Sequence, residues 1–179
     1  PGETVTVYDL YYCFNYEQGF RDFCHDFTPR KADKVFGYTS WYNYYQNINE
    51  EIILRDLDAL DSRFNLFQID DGYETFVGDW LDVDPVKFPN GLKPIVDKIH
   101  AKGFKAGIWL APFVAETKSK LFVEHQDWFK LTEKGELAKC GGNWSGFYAL
   151  DLDNPEVQEY VRKSLQYFKD QTPSQILSL

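Results

Sequence analysis

The 179-residue chain contains no methionine, only three cysteines and no block of lysine and arginine. No apolar run approaches the ~20 residues that a membrane-spanning helix needs. Each absence excludes something. With 19 basic against 28 acidic residues the net charge is −9, and the missing basic block makes nucleic acid and anionic membrane poor partners. The amino terminus, PGETVTVYDL, has no basic segment followed by an apolar stretch, so no signal peptide is expected. A chain that starts at Pro1 without methionine reads as a fragment or processed product. Cys13, Cys24 and Cys140 are odd in number and lack CxxC spacing. They read as free thiols in a reducing, cytoplasmic compartment, with a Cys13–Cys24 disulfide as the alternative. GxGxxG, GxxxxGK, GxSxG and HExxH are all missing, which removes the common cofactor and nucleophile signatures, and no cofactor is expected.

What is present is a globular composition, 44% hydrophobic and 26% charged, with an aromatic excess of five Trp, twelve Tyr and fifteen Phe. Flat aromatic surfaces for ring-shaped ligands would use that excess, and so would an aromatic-heavy core. Residues 1–34 alternate apolar and polar positions and read as strand and connecting segment. From Lys34 the pattern changes. A short strand at VFGYT is followed by a helix with Asn49 as N-cap and Ile52, Ile53, Leu57 and Leu60 at helical spacing. A strand at FNLFQI, a long loop, a helix LKPIVDKIHAKG, a strand FKAGIWLAPF, a second long excursion and a helix opened by Asn154 and Pro155 complete the order. Apolar strands separated by helices predict parallel βαβ units, an α/β class in which the loops after the strands carry the chemistry.

Those loops hold Trp41, the pair Asp70–Asp71, Trp80, Trp109 and Asn143–Trp144. Adjacent carboxylates just past an apolar strand need a reason, because an unpaired charge in an apolar setting costs several kcal/mol. Neighbours on one strand point to opposite faces, so the pair is ill suited to flank a scissile bond as a glycosidase acid and nucleophile do. It suits the reading of two adjacent hydroxyls, since a carboxylate accepts short, directional hydrogen bonds. A generic Asp-Gly turn is the alternative, and metal binding is a third reading that lacks a further carboxylate at suitable spacing. Trp41 and Trp109 each serve either as a stacking surface for a sugar ring or as core filling. His25, His100 and His125 share no spacing and read as surface or interface residues.

Several motifs in series carry a resemblance. GYTSWYNYY, QIDDGYE, GDW, FPNGLKPIVDKIHAKGFKAGIWLAPF, EHQDWF and YALDLDNPEV, spanning about Phe36 to Tyr167, are similar in order and spacing to the catalytic domain of bacterial α-galactosidases (melibiases) of glycoside hydrolase family 36. The resemblance implies a (β/α)8 (TIM) barrel of which this chain holds about the first three βα units, residues 35–179. Residues 1–34 would then be the tail of an upstream β-sandwich domain or a linker. It implies retaining hydrolysis of terminal α-galactosides such as melibiose and raffinose, with a homo-oligomer open for the full-length enzyme. It also implies that Asp70 and Asp71 grip galactose hydroxyls and that Trp41 and Trp109 line the pocket, with Tyr73, Trp80, Asn143 and Trp144 at further motif positions. No metal ligand is implied.

One departure qualifies the resemblance. In the family the last helix leads into a fourth strand with a K-x-D motif bearing the nucleophile, and the acid/base follows two strands later. Here the chain ends QTPSQILSL, without either, and Lys169-Asp170 at the helix end is no substitute. The expectation is therefore a chain that recognises galactose but is inactive alone, with exposed strand edges that favour aggregation, self-association or pairing with a missing half. A related α-N-acetylgalactosaminidase or raffinose-synthase-like enzyme, and a non-catalytic sugar-binding module, are the alternatives.

Overall fold

The structure is a computed structural model that describes residue 12 and residues 14–26, 34–170 and 174–177. The chain divides into two compact units, Pro1–Lys34 and Val35–Leu179.

In the first unit the described residues form a helix, α1 (Tyr16–Asp26), where the alternating pattern suggested strand and connecting segment. The local chemistry explains the difference. The Asn15 side chain accepts from the Gln18 backbone N–H at 3.1 Å, Gln18 bonds Asp22 at 2.7 Å, and Arg21 pairs with Glu17 one turn away. These are the i,i+3 and i,i+4 supports of a capped helix. The TVTVYDL segment lies outside the described residues. Cys24 is a free thiol, as is Cys140.

The second unit is built on a parallel sheet. Strands β1 (Gly37–Thr39), β2 (Leu66–Ile69) and β3 (Lys105–Trp109) are separated by helices, and the short helix α2 (Trp41–Tyr44) follows β1 at once. Helix α3 (Glu50–Ala59) connects β1 to β2. Its Asn49 cap accepts from the Ile52 N–H at 2.8 Å, and Glu50 and Glu51 complement the dipole in its first turn. Helix α4 (Lys93–Ala101) connects β2 to β3, with Pro94 tolerated in the first turn and Gly103, at φ +83°, past its end. Ile53 and Leu57 from α3 and Ile95, Val96 and Ile99 from α4 pack with Phe67, Ile69, Ala106 and Ile108 of the sheet in one core. β2 and β3 are buried as their continuous apolar runs predict. β1 is not: it is an edge strand, exposed to half-buried, because only β2 pairs with it among the described residues.

Two features depart from the sequence reading. The excursion after β3, for which the sequence suggests only a short helix near SKLFVEHQDWF, also holds a small antiparallel sheet of order β4-β6-β5, with β4 (Val114–Glu116), β5 (Lys139–Gly141) and β6 (Phe147–Ala149). It covers a second apolar cluster of Ala115, Leu121, Phe129, Leu150, Val157 and Val161. Strands of three residues leave no periodicity to read. Helix α5 (Lys120–Glu124) sits in this excursion, and buried Asp79 accepts from its Lys120 and Leu121 N–H groups at 2.8 and 3.1 Å. The other departure is at the end of the chain. Helix α6 (Pro155–Asp170) leads into β7 (Ser174–Leu177), which pairs parallel with β3 and completes the order β1-β2-β3-β7. A fourth strand is thus present, although QIL is too short an apolar run to announce it. No helix among the described residues is long and apolar enough to cross a membrane.

Candidate functional site

The carboxyl ends of β1, β2 and β3 and the loops beyond them enclose a cavity of about 680 Å³. Its lining includes all four residues singled out from the sequence, Trp41, Asp70, Asp71 and Trp109, together with Thr39, Gln46, Gln68, Asn143 and Trp144. A groove of similar volume, about 660 Å³, runs along α6 between Phe113, Leu152, Val161 and Leu165, and its lining holds no carboxylate. Convergent polar groups single out the first cavity as the candidate binding site.

Both aspartates turn into the same cavity, contrary to the alternation expected along a strand. β2 ends at Ile69, and the backbone bends through Asp71 and Gly72, the latter at φ +110°. Only glycine takes that conformation at little cost, and a Cβ here would sit 2.5 Å from the Gln46 carbonyl oxygen. The two carboxyls are 5% and 1% exposed, so their donors matter. Asp70 Oδ2 accepts from Thr39 Oγ1 at 3.0 Å and from Gln68 Nε2 at 2.5 Å, while its Oδ1 accepts from the Asp71 N–H at 3.0 Å. The Asp70 N–H in turn donates to buried Ser40 Oγ at 3.0 Å. Asp71 Oδ1 accepts from Gln46 Nε2 at 3.2 Å and its Oδ2 from Trp144 Nε1 at 2.8 Å. A carboxylate offers about four acceptor positions, so each aspartate is held in place yet keeps lone-pair capacity for a ligand.

The aromatic wall is continuous. Trp109 meets Trp80 edge-on at 5.8 Å and lies 6.1 Å from Trp144, which packs against Phe147 at 4.8 Å. Trp109 is 9% exposed and so serves both the core and the cavity. Trp41 opens α2 half-buried, with its ring edge-on to Tyr45 at 5.2 Å. Tyr73 and Trp80 are fully buried and belong to the core, not to the cavity lining. Trp144 and Tyr45, both bordering the cavity, are the non-glycine residues with positive φ among those described, 54° and 49°. Such conformations persist where surrounding contacts over-determine them, and they cluster at ligand sites.

The position of Trp144 traces to Glu116 at the end of β4. That buried carboxylate accepts from the Val77 N–H at 2.9 Å and from Ser145 through both its N–H, at 3.0 Å, and its hydroxyl, at 2.6 Å. The excursion after β3 is thereby pinned to the loop after β2. Sequence reasoning missed Thr39, Ser40, Gln46, Gln68, Glu74 and Glu116, none of which stands in a pattern that marks it. For Gln68 a signal existed: an uncharged polar residue within an otherwise apolar strand, two before the first aspartate. Of the histidines, His100 is exposed on α4 and His125 stacks on Trp128 at 4.0 Å, while the His25 side chain lies outside the described residues.

The comparisons with known proteins agree with this geometry. The α-galactosidase of Escherichia coli is 30% identical over 166 residues, which is 88% of this chain and 23% of that protein. Among solved structures, the α-galactosidase TtGalA of Thermus thermophilus in complex with stachyose superposes with a TM-score of 0.73 at 34% identity, covering 80% of this chain and 32% of its own. The α-galactosidase of Lactobacillus brevis gives a TM-score of 0.70 at 25% identity, covering 81% and 20%. The structural neighbours are family-36 α-galactosidases with TIM-barrel catalytic domains, whereas the chain spans under a quarter of the length of the curated relatives it matches. The melibiase model matches residues 28–176, a span that contains the β4-β6-β5 sheet, all of the parallel sheet but Leu177, and the whole cavity lining, and the chain therefore belongs to the melibiase family.

Proposed function

We propose that this chain carries the galactose-recognising wall of an α-galactosidase active site, with Asp70 and Asp71 accepting hydrogen bonds from adjacent sugar hydroxyls and Trp41 and Trp109 bounding the ring. The observation that carries this reading is the convergence of two buried, donor-braced carboxylates with spare acceptor capacity on one cavity walled by indoles. A sugar offers what those groups need: hydroxyl donors on its edge and a C–H face for the aromatic rings.

Chemistry is a separate matter. Retaining hydrolysis uses two carboxyl groups about 5 Å apart on either side of the scissile bond. The carboxylates lining this cavity are Asp70 and Asp71, sequence neighbours on one wall and both engaged as acceptors. The β7 segment carries no K-x-D. We assign these residues to substrate grip and place the nucleophile and the acid/base outside the 179 residues, so the unit binds without cleaving. α-Galactosides of the melibiose and raffinose type are the substrates this reading gives to the whole enzyme.

Isothermal titration of the 179-residue chain with galactose tests the binding claim. Measurable affinity, reduced at least about tenfold in Asp71→Ala by loss of a charge-assisted contact, is expected. Equal affinity of the variant and the unaltered chain would remove Asp71 from the site.

A further inference from the structure

Behind the sugar-facing wall lies a smaller polar cavity of about 290 Å³, which shares Gln46 and Trp144 with the first and is lined in addition by Gly72, Glu74, Lys87, Glu116, Lys118 and Ser145. Glu74 stands at the partition. Its side chain is 3% exposed, its Oε2 accepts from the Gly72 N–H at 3.3 Å, and its Oε1 is fully buried with no donor in reach. What its carboxyl meets instead is the carboxyl of Asp71. Two carboxyl groups in contact and out of water cannot both be ionised without a large repulsion, so one of them keeps a proton. The hydrogen bonds decide which. Asp71 takes side-chain N–H donors on both oxygens, from Gln46 and Trp144, as a carboxylate does. Glu74 has backbone donors only and one oxygen, Oε1, with no partner.

We propose that Glu74 is a positioning residue of the galactose site: held as the neutral acid, it donates a hydrogen bond to Asp71 and fixes that carboxylate toward the sugar. The proposal rests on Asp71 being a substrate contact as set out above. Burial, followed by the hydrogen bond and the charge of Asp71, pushes the Glu74 carboxyl well above its ordinary value of 4.5. Of the other titratable groups around it, the Lys87 ammonium favours the ionised acid, and burial with Asp71 outweighs it. Tyr73, wholly buried, is itself raised by burial and by Glu74. Lys87 spends its ammonium on the Gln46 and Gly72 carbonyls at 3.0 Å each. Glu116 is taken up by Val77 and Ser145, and Lys118 is exposed at the rim. With the proton in place, Asp71 receives three side-chain donors and the two carboxyl groups no longer meet as two acceptors.

The sign of the pH effect follows. Raising the pH ionises Glu74, converts its bond to Asp71 into repulsion and weakens sugar binding on the alkaline side. The Glu74→Gln variant keeps an N–H donor of the same shape at every pH. Galactose affinity of the full chain is expected to fall about tenfold in the unaltered protein as rising pH ionises Glu74, and to stay within about twofold in E74Q over the same range. Glu74→Ala should bind weakly throughout, with rescue by the Gln variant marking the donor and not the volume. Coincident pH profiles for the unaltered chain and E74Q would overturn the proposal. A second measurement needs no sugar: the 13C carboxyl shift of Glu74, assigned by its loss in E74Q, is expected to report the protonated acid at neutral pH. An ordinary glutamate titration there would overturn it even if galactose binds, and absence of galactose binding with Glu74 protonated would count against the sugar site alone.

Discussion

Gly72 shows how much of the site depends on one residue having no side chain. Its φ of +110° lets the chain leave β2 and turn both aspartates to one side, and the Gln46 backbone closes over it with Cα 2.7 Å from where a Cβ would be. Gln46 is the same residue whose amide braces Asp71. Replacing Gly72 by Ala therefore strains the turn and displaces a carboxylate brace together. Gly72→Ala is expected to cost about 1–3 kcal/mol in urea unfolding, with galactose affinity falling in parallel, and an unchanged unfolding midpoint would show that the turn relaxes freely. The pair Asp70–Asp71 was legible in the sequence because two adjacent charges after an apolar run cannot be idle. Their common direction was not, since alternation along a strand argues for opposite faces and only the bend cancels it.

Elements rather than single residues set the position of the aromatic wall. Trp144 belongs to an excursion 35 residues beyond Trp109, yet its indole N–H reaches Asp71 because Glu116 ties Ser145 to Val77. The Thr117 hydroxyl adds a bond to the Ser145 carbonyl at 2.9 Å, and the Gly146 N–H closes the turn on the Asn143 carbonyl. In Glu116→Ala the buried Val77 N–H and the part-buried Ser145 N–H lose their acceptor, at about 1–3 kcal/mol for a group that stays dry. Hydrogen exchange should accelerate at these two amides and along residues 143–146 while α3 and α4 keep their protection. Uniform acceleration across the chain would instead make Glu116 a global stability element. Helix signals such as Asn49, Pro94 and Gly103 are local and read correctly from sequence. The β4-β6-β5 sheet was not legible, because three-residue strands pair through partners up to 35 positions apart and leave no period of two.

At the scale of the molecule, β1 and β7 are the outer strands of a four-stranded parallel sheet, and among the described residues each is paired on one side only. The candidate cavity sits at the carboxyl ends of β1 to β3 and is bounded on one wall by both of its carboxylates. On the reading proposed above, a bond held there would meet hydrogen-bond acceptors on one wall, with the nucleophile and the acid/base supplied from elsewhere. The purified 179-residue chain is accordingly expected to release no p-nitrophenol from p-nitrophenyl α-galactoside above the uncatalysed rate. Turnover abolished by Asp70→Asn would reassign the pair from grip to catalysis. The sequence by itself determined the βαβ order, the main helix caps, the aromatic and acidic character of the loops after the strands and the family to which the motifs point, because each is written in local composition, spacing or serial motifs. Tertiary structure alone decided that β1 is an edge, that a fourth strand follows α6, that Gln46, Gln68 and Trp144 brace the aspartates, and that Glu74 abuts Asp71 from behind. Those outcomes rest on contacts between residues far apart in the chain or on a single backbone bend, and neither leaves a periodic trace in the order of amino acids.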